Sequence, residues 1–188
     1  MKPILTAFLL MLFAVHFISC DNPSSTPPSN EQELITHVTL TLVDSANTSD
    51  TVLATFNDPD GDGGAAPIIT GVTLSNGKTY FGSISLVDSS KIPAVDIGAE
   101  VLEKATQHQF FFTPKGDLSS RMKVVATDKD SKNLPLGLQF KISILQGAGA
   151  ATGALNVVLS HYDNVVKDGS TRSNESDIDI DFPVTISQ

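Results

Sequence analysis

The sequence predicts an all-β fold, an antiparallel immunoglobulin-like β-sandwich with one short helix. Three observations carry that expectation. Apolar residues recur at every second position in run after run, the runs are short and bounded by Gly, Asn, Asp or Pro, and a single stretch departs to a helical period. No internal repeat and no alternation of strands with crossover helices is visible. A two-lobed α/β architecture needs several long helices, and this chain has the pattern for at most one.

Before the first strand comes a segment that is not part of the fold. Met1-Lys2-Pro3 leads into an apolar stretch over residues 4–18, broken by Thr6 and His16 and closed by Ser19-Cys20. A basic start, an apolar run too short to span a bilayer comfortably and a small residue at the cut read as a signal peptide over residues 1–19. Cys20 is the one cysteine in the chain, so a disulfide framework, a thiolate metal site and a cysteine nucleophile in the mature domain all fall together. Phe17-Ile18-Ser19-Cys20 resembles the lipobox of bacterial lipoproteins, with Phe17 where Leu is commonest. That resemblance implies lipidation of Cys20 and a membrane anchor; the alternative is an ordinary secretory signal with an incidental cysteine. Residues 20–32 are polar and proline-rich with nothing to bury, which makes them a flexible tether.

The domain occupies residues 33–188. Leu34, Thr36, Val38, Leu40 and Leu42 share one face of the first strand, and Ile35, His37, Thr39 and Thr41 the other. Further strands are expected near residues 51–57, 69–74, 78–87, 108–113, 122–127, 138–145 and 154–161. Asn76-Gly77 is a hairpin signal of the type I′ kind between the strands over 69–74 and 78–87. Residues 128–135 and 146–153 are turns. Over residues 93–107, Val95, Ile97, Ala99, Val101, Leu102 and Ala105 alternate with acids and Lys104 at the spacing of a short amphipathic helix, with a bulged strand as the alternative. At the end of the chain Ile178, Ile180, Phe182, Val184 and Ile186 form a buried face against Asp177, Asp179, Asp181 and Thr185 on a wet one. Pro183 removes one ladder donor, which suits an edge or a strand end.

A net charge of −9 argues against nucleic acid as a partner and is compatible with cations or with simple solubility. No nucleophile elbow, zinc-protease helix or phosphate loop is present, so the expectation is a binding module without enzymatic activity. The sharpest local motif is Asp58-Pro59-Asp60-Gly61-Asp62-Gly63, the front half of a calcium loop in which Asp58, Asp60 and Asp62 would converge on Ca2+. Position twelve falls on Ile69 instead of a bidentate Glu, so a further ligand would come from Asp128 and Asp130 or from Asp163 and Asp168. The other reading is a plain acidic turn. His161 shares strand parity with Leu155, Val157 and Leu159, and His108 with Phe110 and Phe112. His108 and His161 either meet in a transition-metal site or sit singly at the core margin; His37 is the third histidine of the domain. Phe110-Phe111-Phe112 is expected to be buried on both faces, or else to leave Phe111 as an exposed contact patch.

Taken in order, the lipobox, the tether, Glu31-Gln32-Glu33-Leu34-Ile35-Thr36, the Asp60-Gly61-Asp62-Gly63-Gly64 loop, His108-Gln109-Phe110-Phe111 and Phe182-Pro183-Val184-Thr185-Ile186 resemble a family of small outer-membrane lipoproteins of the Bacteroidota. Such proteins are sometimes catalogued as type 1 periplasmic binding proteins, a label that the absence of crossover helices contradicts. The resemblance implies an outer-membrane location and, as a partner, a TonB-dependent uptake receptor served by a binding or accessory module. A purely structural surface lipoprotein and a hydrolase with a loop-assembled site are the alternatives. It also implies O-glycosylation at Ser45 in Asp44-Ser45-Ala46 and at Thr51 in Asp50-Thr51-Val52.

Overall fold

A computed structural model describes residues 33–61, 63–147 and 149–188. The signal peptide, Cys20, the tether and Asp62 lie outside the described residues. The strands are β1 (His37–Asp44), β2 (Thr51–Asn57), β3 (Ile68–Thr70), β4 (Val72–Ser75), β5 (Thr79–Asp88), β6 (Val95–Asp96), β7 (His108–Gly116), β8 (Met122–Ala126), β9 (Gln139–Ile144), β10 (Ala151–His161) and β11 (Glu175–Ser187), with one helix, α1 (Ile97–Glu103). They form an all-β two-sheet sandwich. One sheet runs β3-β2-β1-β5-β9-β8 with β6 against β5, and the other runs β4-β11-β10-β7.

The period-two pattern delivers the core as the sequence predicts. Val38, Leu40 and Leu42 of β1 point inward, as do Ile178, Ile180, Phe182, Val184 and Ile186 of β11. Between the sheets they meet Leu86, Phe140 and Ile142 from one side and Phe110, Leu155 and Leu159 from the other. Phe112 packs at a tilt against Phe140 with ring centroids 4.6 Å apart, while half-buried Phe111 lies on the opposite face beneath the Arg172 guanidinium.

Four expectations need correction. The strand over 69–74 is two strands, β3 in the larger sheet and β4 in the smaller, and the chain changes sheets at Gly71. A Cβ there would stand 2.3 Å from the Pro183 carbonyl oxygen, so only glycine lets the crossing strand pass that close. β4 then pairs with β11 in parallel from Val184 onward, the one parallel pair among these ladders. Pro183 accordingly lies in an interior strand, one residue before that parallel ladder begins. Asn76-Gly77 is for the same reason not a hairpin but a turn between the sheets. Gly77 has φ +73° and the Lys78 N–H reaches the Ser75 carbonyl at 3.3 Å. The Asn76 side chain holds a neighbouring loop instead, donating to the Gly147 carbonyl at 2.9 Å and accepting from Arg121 at 3.1 Å.

α1 is shorter than the predicted 93–107. Residues 95–96 pair as β6 with the end of β5, and Asp96 caps the helix by accepting from the Ala99 N–H at 3.2 Å. Ile97 and Val101 are its buried face, and a turn of 3-10 helix over Ala105–Gln107 delivers the chain into β7.

Candidate metal centre

β7 and β10 are antiparallel neighbours in a register that sets His108 directly opposite His161. Both side chains fall on the face predicted by strand parity, and their rings lie 4.4 Å apart between centroids. The third residue of the site comes from β11 through a β-bulge. Ile178 pairs with Leu159 and Ser176 with Ser160, which leaves Asp177 with no partner of its own on β10. A bulge re-aims the side chain of its extra residue. The Asp177 carboxylate, expected on the wet face with Asp179 and Asp181, is instead turned inward and buried, with its side chain 1 % exposed.

Hydrogen bonds on the far side of each ring decide which nitrogens face the centre. His108 Nδ1 lies 3.1 Å from the Lys104 carbonyl at the end of α1. A carbonyl can only accept, so Nδ1 carries the hydrogen and Nε2 is left with its lone pair. His161 Nε2 lies 2.8 Å from the Asp163 carboxylate, to which it donates, so Nδ1 is the nitrogen turned toward the centre. These two inner nitrogens point at the same carboxylate. His108 Nε2 is 3.6 Å from Asp177 Oδ2, and His161 Nδ1 is 3.4 Å from Oδ1. One such atom from each of the three residues lies within 4.8 Å of the others.

The electrostatics of the cluster are unfavourable as it stands. His108 Nε2, His161 Nδ1 and Asp177 Oδ2 are all buried without a hydrogen-bond partner. Each such atom costs roughly 1–3 kcal/mol of lost solvation. Burial drives the His108 pKa below its ordinary value, against the Lys104 carbonyl bond and with the help of His161. Burial likewise lifts the Asp177 carboxyl above the usual range, opposed by the two imidazoles. A divalent cation among the three atoms would satisfy all of them at once. Two imidazole nitrogens and one carboxylate oxygen suit zinc and neighbouring transition ions, and the outward N–H bonds to a carbonyl and a carboxylate are the usual support of metal-binding histidines.

No family model, curated protein or solved structure matches this chain. The chemistry of these residues is therefore the ground for any functional reading.

The other predicted sites are arranged differently. In the acidic loop Asp60 accepts the Ala65 N–H at 2.8 Å, and that bond holds its carboxyl below the usual range. Asp58 is buried at the rim of a groove, and Asp62 lies outside the described residues. The four residues considered as extra calcium ligands are engaged elsewhere. Asp128 accepts the Gly137 N–H at 2.7 Å, Asp130 pairs with Lys167 at 2.9 Å, and Asp163 supports His161. Asp168 caps the N–H groups of Ser170 and Thr171, which hold its carboxyl far below the usual range. His37 pairs with the Asn57 side chain at 3.2 Å at the start of β1. Ser45 and Thr51 are exposed at the two ends of the β1–β2 connection, while Asp44 is buried against Lys78.

Asp177 is the residue that sequence reasoning missed. Glu175-Ser176-Asp177-Ile178-Asp179 alternates without a break, and nothing in it marks a bulge. Asp163 did leave a signal, since a carboxylate two residues beyond a strand-end histidine is well placed to hold the outer nitrogen of that ring.

Proposed function

We propose that this chain is an exported, lipid-anchored cell-envelope protein whose β-sandwich holds a transition-metal ion of the zinc type between His108, His161 and Asp177. The observation that carries the metal reading is the convergence of three buried ligand atoms lacking hydrogen-bond partners, with the outer nitrogen of each imidazole already committed. Export and anchoring rest on the signal pattern of residues 1–19 and the lipobox around Cys20. A binding or accessory role beside an outer-membrane uptake receptor follows from the family resemblance, and an ion-holding module fits it.

Hydrolysis has less support. A catalytic metal needs a position that substrate can reach, and the His108 and Asp177 side chains are 0 % and 1 % exposed. Calcium at the acidic loop is also less well supported, because Asp60 already serves the Ala65 N–H and hard cations take shells of oxygen donors.

The metal reading is tested by titrating the chelator-stripped protein with Co2+ and following visible absorption. One ion per chain with the bands of a low-coordinate nitrogen–oxygen site is expected, with displacement by Zn2+ and no competition from Ca2+ or Mg2+. His108→Ala and His161→Ala should each abolish the bands while leaving the circular dichroism of the sandwich intact. A featureless titration of the wild type would overturn the proposal. Anchoring has its own measurement, detergent phase partitioning. Cys20→Ala is expected to move the protein wholly into the aqueous phase, and retention in detergent would show that some other element is the anchor.

A further inference from the structure

A groove of about 510 Å³ runs between the turn at Asp58–Gly61 and β11. Among the described residues its charged lining is Glu33, Asp58, Asp177 and Asp179, with no Lys, Arg or His. Asp177 thus belongs both to the groove and to the metal cluster. Resting on the metal reading above, we infer that this groove is the route by which the divalent cation reaches the site, with Glu33, Asp58 and Asp179 as its capture residues.

The charges facing the groove support a cation as its occupant. Lys104 offsets Glu33 from outside at 3.5 Å, yet Glu33 Oε2 remains buried without a hydrogen-bond partner. Asp179 accepts from Asn156 at 2.6 Å, a neutral donor that leaves its charge in place. Between these acids the walls are apolar, formed by Leu34, Ile35, Phe56, Ile178 and Ile180. A cleft with charge of one sign and low-dielectric walls focuses the field and raises the association rate of an opposite charge by about 10- to 1,000-fold. An anion would meet the carboxylates of Glu33, Asp58 and Asp179 before it reached Asp177. A bulky ammonium would stop at Asp177, whose carboxylate is almost wholly covered, whereas a bare divalent ion fits among its oxygens.

On its other flank His161, 8 % exposed, is hydrogen-bonded to Asp163 at the start of the loop over residues 162–174, and that loop is tied down by the buried Lys167–Asp130 pair. The groove side is where charge, volume and an unsatisfied carboxylate coincide.

Stopped-flow association of Co2+ with the full-length protein, read by its absorption bands at several salt concentrations, tests the route. Asp58→Asn/Asp179→Asn should slow association about 10-fold and flatten its salt dependence. The final absorption spectrum should be unchanged, since neither residue is a ligand. Leu34→Trp offers a second test through size instead of charge. Leu34 is 45 % exposed, so the substitution is tolerated, and it should slow entry by narrowing the mouth. Wild-type association rates and salt dependence in both variants, with the bands intact, would overturn the route and point to entry past Asp163. Absence of bands in the wild type would instead sink the metal reading itself, so the two failures are distinct.

Discussion

Lys167→Ala is expected to destabilise the domain by about 3–5 kcal/mol at neutral pH. Lys167 and Asp130 form an ion pair at 2.9 Å with side chains 1 % and 0 % exposed. The ammonium also donates to the Ala105 carbonyl at 3.0 Å, and Asp130 accepts the N–H groups of Lys132 and Leu134. Alanine would leave the carboxylate buried with no opposite charge, and removal of one partner of such a pair costs far more than the pair itself contributes. Lys167→Met/Asp130→Asn should recover most of the loss, because Asn keeps the two backbone bonds and methionine refills the volume. The pH dependence has a definite sign. Burial alone would raise the Asp130 pKa, but Lys167 and the two N–H groups hold it below the ordinary carboxylate value. The stabilisation is therefore complete above the ordinary range and is lost as pH falls through the lowered folded value. In Lys167→Ala the buried carboxyl is relieved by protonation, so the gap between wild type and variant should shrink on acidification. Urea midpoints at neutral and acid pH measure both effects. A neutral-pH loss under about 1 kcal/mol would place the pair among surface-like bridges.

The same variant should loosen the loop over residues 162–174 before the sandwich itself gives way. Besides Lys167, that loop is held by the Tyr162 hydroxyl on the Thr171 carbonyl at 2.6 Å and by Gln109 on the Gly169 carbonyl at 3.1 Å. Asp163, which sets the tautomer of His161, is its second residue. The loop thus couples the Lys167–Asp130 clamp to the candidate metal centre.

How much of this was legible in the sequence depends on what each feature rests on. Strand parity is local, so the inward faces of β1 and β11 and the shared face of His108 with Phe110 could be read directly. That His108 and His161 stand opposite each other needed the register of β7 against β10, which parity allows but does not fix. The split at Gly71 was not legible. A period of two looks the same whichever sheet a strand enters, and the deciding contact is with Pro183, far along the chain. Asn76-Gly77 misled for a related reason, since turn chemistry says how sharply the chain turns but not which strands it joins. Helix length was overread because residues 93–96 are apolar enough to continue the pattern, while residues 95–96 pair with β5.

Asp177 is the most informative case, because deleting it should separate fold from function. Ile178 pairs with Leu159 and Ser176 with Ser160, so a chain lacking Asp177 would carry a regular ladder through this point with every neighbouring side chain on its present face. In chelator the deletion variant is expected to be at least as stable as wild type. It loses a bulge and a buried carboxyl with an unpartnered oxygen, which relieves about 1–3 kcal/mol, or roughly 2–4 °C in Tm per kcal/mol for a domain of this size. In zinc the order should reverse. Wild type would gain about 2.7 kcal/mol at a hundredfold excess over Kd, while the variant, left with two imidazoles, would gain little. Its Co2+ affinity should fall by more than the ~10–100-fold that losing an outer partner such as Asp163 costs. Asp177→Ala controls for the bulge, since it removes the ligand and keeps the extra residue. Thermal unfolding of all three proteins with chelator and with zinc is the measurement. A deletion variant that binds Co2+ like wild type would remove Asp177 from the site, and one that fails to fold would show that the bulge is required by the sandwich itself.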